Sequence, residues 1–339
     1  MRRAAEQNRV SLVIYRRRVM SKLADLATLF GAQKSDTFLG LDKGDDLAQI
    51  DASSAFIGAP CATPYGAVGA YAKNGPVSLR AAIAALTANI DRYNFDIGGP
   101  LFPEGTKQAV DCGDLPYSET DFAYNRKMIG TAIAQLARQG VTPIVIGGDD
   151  SVPIPMIEAM GQTGKAFTIL QIDAHIDWRD THMGERLGLS STMRRASEMP
   201  HINSIIQVGA RGMGSAHEDD YTDALAWGAQ FFPARQIHND GVAPALQAIK
   251  KGAEIIICFD IDALDPSIAP NTIGRAPGGL SYFQVLALIE GAARRGNIAA
   301  MDVVEILPEA DIDGLGGQTV SRLVAAAMGL IARQKAGLL

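Results

Sequence analysis

The feature that most limits what this 339-residue chain can fold into is an alternation that begins near residue 53. Short, apolar, β-prone runs are followed by longer Ala/Leu-rich stretches of helical period, the pattern of repeated parallel βα units. The runs cover residues 53–58, 107–113, 142–147, 167–173, 204–209, 229–233, 254–260 and 298–304, so eight strands are expected. Helical stretches lie at 78–90, 121–139, 154–160, 243–251, 282–295 and 319–335. Ile255-Ile256-Ile257-Cys258-Phe259 shows no polar alternation, as a strand covered on both faces requires. The expected architecture is α/β: a three-layer αβα arrangement around an eight-stranded, mainly parallel sheet. No repeat, low-complexity tract or linker divides residues 41–339, which are read as a single domain.

Composition narrows the function classes. An apolar fraction of 47% supplies a core of this size. The net charge of -6 argues against nucleic acid or an anionic membrane as the main partner, since both need a basic face. Cys61, Cys112 and Cys258 are widely spaced, so neither a disulfide framework nor a thiolate metal site is expected. No run of about eighteen apolar residues suggests a membrane span, and no secretory signal opens the chain. The expected location is cytoplasmic. Residues 1–40 differ from the rest: Arg2, Arg3, Arg9, Arg16, Arg17, Arg18, Lys22 and Lys34 face only Glu6 and Asp25 over the first 34 positions. This basic segment reads as an arm against a neighbouring subunit, an organelle-targeting helix, or an extension upstream of a start at Met20.

The polar clusters carry the chemistry. Gly147-Gly148-Asp149-Asp150-Ser151, Asp173-Ala174-His175-Ile176-Asp177, Asp260-Ile261-Asp262 and Glu305 each fall at or just past the C-terminal end of an expected strand. In open parallel sheets that edge is where ligands bind. Asp173, His175 and Asp177 alternate, so an extended backbone projects them one way, and Asp260 with Asp262 repeats the geometry. Asp after a strand is also a common turn or cap residue. An Asp-x-His-x-Asp joined to an Asp-x-Asp makes that reading much the weaker. Such a carboxylate-rich cluster with one imidazole suits Mn²⁺, Mg²⁺, Ni²⁺ or Fe²⁺, because carboxylates so concentrated repel one another unless cations sit among them.

The ordered motifs Gly-Gly-Asp-Asp-Ser at 147–151, Asp-Ala-His-Ile-Asp at 173–177 and Phe259-Asp260-Ile261-Asp262-Ala263-Leu264-Asp265-Pro266, followed by Ala269-Pro270 and Gly278-Gly279-Leu280, are similar to those of the ureohydrolases, the arginase and agmatinase family. The similarity extends to Val110-Asp111-Cys112-Gly113-Asp114, Gly209-Ala210-Arg211-Gly212 and Asp302-Val303-Val304-Glu305, and spans roughly residues 50–335. The resemblance implies an arginase-like fold and hydrolysis of a guanidino compound by water activated between two metals, releasing urea and an amine. Asp173, His175, Asp260 and Asp262 would hold one divalent ion, Mn²⁺ or Ni²⁺; Asp150, Asp173, Asp177 and Asp260 would hold the other. Glu305 would receive the guanidinium.

Three positions depart from the family pattern. Asp150 replaces a histidine ligand, adding a negative charge that weakens Lewis acidity and puts occupancy by two metals in doubt. Leu189 aligns with the histidine that carries a proton to the leaving amine; His182, in the same loop, is the remaining shuttle candidate. Arg275, in Asn271-Thr272-Ile273-Gly274-Arg275 where the family commonly has Gly-Thr-Gly-Thr-Pro, is expected to meet an anionic substrate tail, to offset the surplus carboxylate, or to fill the pocket. Two functions follow: a guanidino- or biguanide-compound hydrolase with an altered site, or a non-catalytic subunit assembled with an active paralogue in a trimer or hexamer of the metformin-hydrolase type.

Overall fold

A computed structural model describes residues 35–214 and 216–339. The greater part of the basic segment, residues 1–34, lies outside the described residues. The strands in chain order are β1 (Asp42–Lys43), β2 (Ser54–Ala59), β3 (Tyr93–Asn94), β4 (Gly99–Pro100), β5 (Val110–Asp114), β6 (Thr142–Gly147), β7 (Phe167–Ile172), β8 (Ile202–Val208), β9 (Gln230–Phe232), β10 (Glu254–Asp260) and β11 (Asn297–Val304). Nine of them form one sheet in the order β1-β5-β2-β6-β11-β10-β7-β8-β9, and β3 with β4 makes a small antiparallel hairpin. Every pairing in the large sheet is parallel. Eight of its strands fall on the expected runs. The ninth, β1, is an edge strand of two exposed residues that no hydrophobic pattern could reveal.

The sheet separates two cores. Ile255, Ile257 and Phe259 of β10 face one cluster, packed under helices Gly75–Ile83, Tyr282–Arg295 and Leu315–Lys335. Ile256 and Cys258 of the same strand face the other, under Phe122–Arg138 and Pro153–Met160. Burying such a side chain contributes about 1.5–3 kcal/mol, which is why the central strands tolerate no polar alternation. The helices start where their sequences direct. Asp121 accepts from the Tyr124 N–H at 2.9 Å, and Ser281 with Gln284 forms a capping box ahead of Tyr282. Helix Leu315–Lys335 contains an 18-residue stretch long and apolar enough to cross a bilayer, a run longer than the sequence suggested; 78% of it is buried within the fold. At the other end of the chain, Phe38 is fully buried and stacks on Phe56 at 4.8 Å, and its N–H donates to Asp111. Phe38, Leu39 and Leu41 are thus packed into the domain, although a boundary at 40 was expected.

The order of the strands positions the site. Leaving β6, the chain builds β7 elsewhere in the sheet, and β11 and β10, which come last in sequence, fill the space between. The C-terminal ends of β6, β11, β10 and β7 are therefore neighbours, at the point where the direction of winding reverses and ligand crevices form in such sheets.

Candidate metal and guanidinium site

Those four neighbouring strand ends carry Asp150, Glu305, Asp260 with Asp262, and Asp173 with His175 and Asp177. All but His175 are at least 91% buried. One ligand atom each from Asp173, His175 and Asp262 lies within 4.8 Å of the others, and the same holds for Asp150, Asp173 and Asp260. Asp173 belongs to both groups. Asp177 stands beside them, joined to Asp173 by Gln171, whose Nε2 donates to Asp173 Oδ2 at 2.8 Å and to Asp177 Oδ2 at 2.7 Å. Backbone N–H groups hold further oxygens in place: His175 N donates to Asp173 Oδ1 at 2.6 Å, Ala174 N to Asp262 Oδ1 at 3.1 Å and Asp262 N to Asp260 Oδ1 at 2.8 Å. Asp177 and Glu305 adopt left-handed backbone conformations, with φ of 46° and 67°. Such conformations are uncommon for non-glycine residues and concentrate where side-chain direction matters.

Burial dominates the electrostatics. It pushes the carboxyls of Asp150, Asp177 and Asp260 well above the usual range, and the charge of neighbouring aspartates pushes them further. Asp262 is raised for the same reasons. Asp173 runs the other way: burial raises it, but hydrogen bonds involving His175 and Asp177, with the His175 charge, bring it below the ordinary value. His175 Nδ1 lies 3.0 Å from Asp262 Oδ2 and 3.4 Å from Asp173 Oδ1. Burial opposes its charge, yet those two carboxylates raise the imidazole to about 12. Buried carboxylates stay charged only beside positive charge. Asp150 Oδ2 is buried with no hydrogen-bond partner. That orphaned oxygen, the two ligand groups and an oxygen-rich donor set with one imidazole fit divalent cations.

The cluster forms the floor of a cavity of about 270 Å³, with Trp178, Arg179, Leu189, Asp220, Ile273 and Glu305 among its walls. Leu189 thus lines the cavity where a proton carrier was absent from the motif. His182 does not line it. The ring packs 4.9 Å from the Tyr65 ring, its Nδ1 sits 2.9 Å from Arg179 Nη1, and burial with the Arg179 charge lowers its pKa. Arg275 corrects an expectation. Its Nε donates to the Pro270 carbonyl at 2.5 Å and its Nη2 to the Ala310 carbonyl at 3.1 Å, and it is not among the residues lining the cavity. The loop approaches the site through Gly274 instead, where an added Cβ would stand 2.3 Å from Asp262 Oδ2.

Three contributors were given no role by the sequence reading, although Asp302 lies in a motif already noted. Gln171 and Asp302 interrupt apolar strands, and a polar residue inside such a run was a usable signal. In register across the sheet, Gln207, Gln171, Cys258 and Asp302 form a polar row beneath the ligands. Asp302 is wholly buried beside Cys258, and burial lifts its carboxyl to about 8. The third is Tyr71, whose hydroxyl donates to Glu305 Oε1 at 2.5 Å; nothing in its loop sequence marks it.

Comparison with known proteins agrees with this geometry. The model of the Arginase family matches residues 52–331. A guanidinobutyrase of Pseudomonas aeruginosa is 25% identical over 307 residues, covering 88% of this chain and 93% of that protein. The mitochondrial agmatinase of Gallus gallus is 27% identical over 248 residues, covering 72% and 71% respectively. Among solved structures, a hypothetical agmatinase from Burkholderia thailandensis superimposes with a TM-score of 0.77 at 25% identity, over 91% of this chain and 93% of that one. The formimidoylglutamase of Bacillus subtilis, at 24% identity and a TM-score of 0.76 over 88% and 94%, shares the fold. From the family match, these relatives and the carboxylate cluster at the sheet edge, the chain belongs to the arginase family of ureohydrolases, in its agmatinase-like branch.

Proposed function

We propose that this chain serves guanidino-compound hydrolysis through a degenerate form of the family site, one that holds divalent cation and receives a guanidinium group but is poorly equipped to finish the reaction alone. The observation that carries the reading is the pair of ligand groups that share Asp173. Mn²⁺ or Ni²⁺ matches their donors, and cations held there would supply Lewis acidity and lower the pKa of water at the site. The chain's own residues do the rest. Glu305 faces the cavity beside the cluster and can accept a guanidinium N–H in a charge-assisted bond. Trp178 and Leu189 restrict water around it. Asp173 and Asp262 orient His175.

Two substitutions weaken catalysis. Asp150 brings the aspartates around the site to five, which reduces the acidity that two dications could impart. Leu189 lines the cavity but cannot pass a proton to a departing amine, and His182 lies behind Arg179. The latter observation favours a second reading, that of a partner subunit working in a hetero-oligomer with a histidine-bearing paralogue. Purification of the chain alone and together with such a paralogue, with metal per chain and urea release from agmatine and 4-guanidinobutyrate measured, separates the two. Full turnover by the isolated chain, abolished by Asp260→Asn, would rule out the partner role. Failure to retain any divalent ion would rule out the cation site itself.

A further inference from the structure

Two donors converge on one oxygen of Glu305. The Asp150 backbone N–H reaches Oε1 at 3.0 Å and the Tyr71 hydroxyl reaches it at 2.5 Å. A carboxylate oxygen offers about two lone-pair sites, so Oε1 is filled and Oε2 is the oxygen left for a ligand. The placement of Tyr71 is set by the sheet. Four residues later, Gly75 opens the helix Gly75–Ile83, where an added Cβ would lie 2.9 Å from the Gly147 carbonyl oxygen and 3.2 Å from Ile306 Cβ. Glycine alone lets that helix start rest against the ends of β6 and β11. Further along, Arg80 grips β5, donating to Asp111 at 2.7 and 2.9 Å and to Asp114 at 2.6 Å, with its guanidinium 4.6 Å from the Phe56 ring centroid. The segment carrying Tyr71 is therefore fixed from a helix pinned at two points.

We infer that Tyr71 is a positioning residue: its hydroxyl, together with the Asp150 N–H, locks the Glu305 carboxylate so that Oε2 alone meets the guanidinium. A guanidinium is then held end-on through one oxygen, and the two-oxygen fork common in guanidinium–carboxylate pairs does not form. Because Glu305 has a left-handed backbone and stands immediately past the end of β11, its side chain needs an external anchor to keep one direction. This inference rests on the reading of Glu305 as the guanidinium acceptor.

The test is Tyr71→Phe, which keeps the ring and removes only the donor, in the full chain loaded with Mn²⁺. A crystal structure of the variant is expected to show the Glu305 carboxylate displaced from the Asp150 N–H; an unmoved carboxylate would overturn the inference. Titration calorimetry with agmatine should show affinity lower by tenfold or more, about what loss of a hydrogen bond to a charged group produces, with cation stoichiometry unchanged. Undiminished agmatine affinity would also overturn it. A wild-type protein that binds no agmatine would sink the guanidinium reading, while the position of Glu305 in the variant would still decide the tether. Should the variant not fold, tyrosine-labelled NMR of the wild type replaces it: one tyrosine resonance is expected to move on Glu305→Gln, and none moving would refute the contact.

Discussion

On the His175 side of the cluster each carboxylate has a donor of its own: Asp173 takes the His175 N–H and Gln171, and Asp262 takes the Ala174 N–H and the imidazole. On the Asp150 side, Asp150 Oδ2 is buried without a hydrogen-bond partner. The two sides share Asp173, yet one carries its own positive charge and the other depends on charge brought from outside. A protonated imidazole can keep the first side folded and ordered without metal. The second side has no such internal substitute, which is the physical cost of an aspartate at position 150.

The largest effect should come from the shared ligand. Asp173→Asn is expected to weaken cation binding on both sides by more than about a hundredfold, read by calorimetry with Mn²⁺; retention of full stoichiometry would show that the two sides are independent. Asp150→Ala should act on one side only. It is expected to abolish any second equivalent of metal, to leave the first within a few-fold, and to raise the melting temperature of the metal-free protein, because an unpaired buried carboxylate is removed. Equal loss of both equivalents would break the comparison.

A smaller effect is predicted for pH. An acid whose folded pKa is raised contributes stability below its unfolded value and loses it as pH rises through the folded one. Asp302 and Glu305, both lifted to about 8 by burial, place that window between about 4 and 8. His175, raised to about 12 by its two carboxylates, loses its contribution only from about 6.5 upward. The metal-free protein should therefore melt at progressively lower temperature from pH 5 to pH 8, and saturating Mn²⁺ should stabilise it most at the alkaline end. A flat profile would mean that the carboxylates are paired in some other way. Smallest of all, His182→Ala should change cation and agmatine affinity less than about twofold, since the ring lies outside the cavity.

Much of this was legible in the amino-acid order. Strands buried on both faces must be apolar throughout, so β6, β7 and β10 announce themselves, and carboxylates placed at their ends stand out against that background. The edge strand β1 has no such obligation, because Asp42 and Lys43 are both exposed. Arg275 was misread because charge suggests attraction to charge, whereas two backbone carbonyls satisfy it locally. Tyr71 was invisible for a different reason: its partner lies 234 residues away, and no local pattern encodes a contact that only strand order creates.

That strand order also sets a schedule for assembly. The middle of the sheet is occupied by β11 and β10, whose residues come at 254–304, while β6 and β7, which flank them, are made much earlier. During synthesis the N-terminal strands emerge with their central gap still open, and contacts of such long sequence separation form slowly. Until β10 arrives, Asp150, Asp173 and Asp177 lack Asp260 and Asp262. A cation held by both ligand groups would be gathered only near the end of folding, when it would join residues 150–177 to residues 260–262.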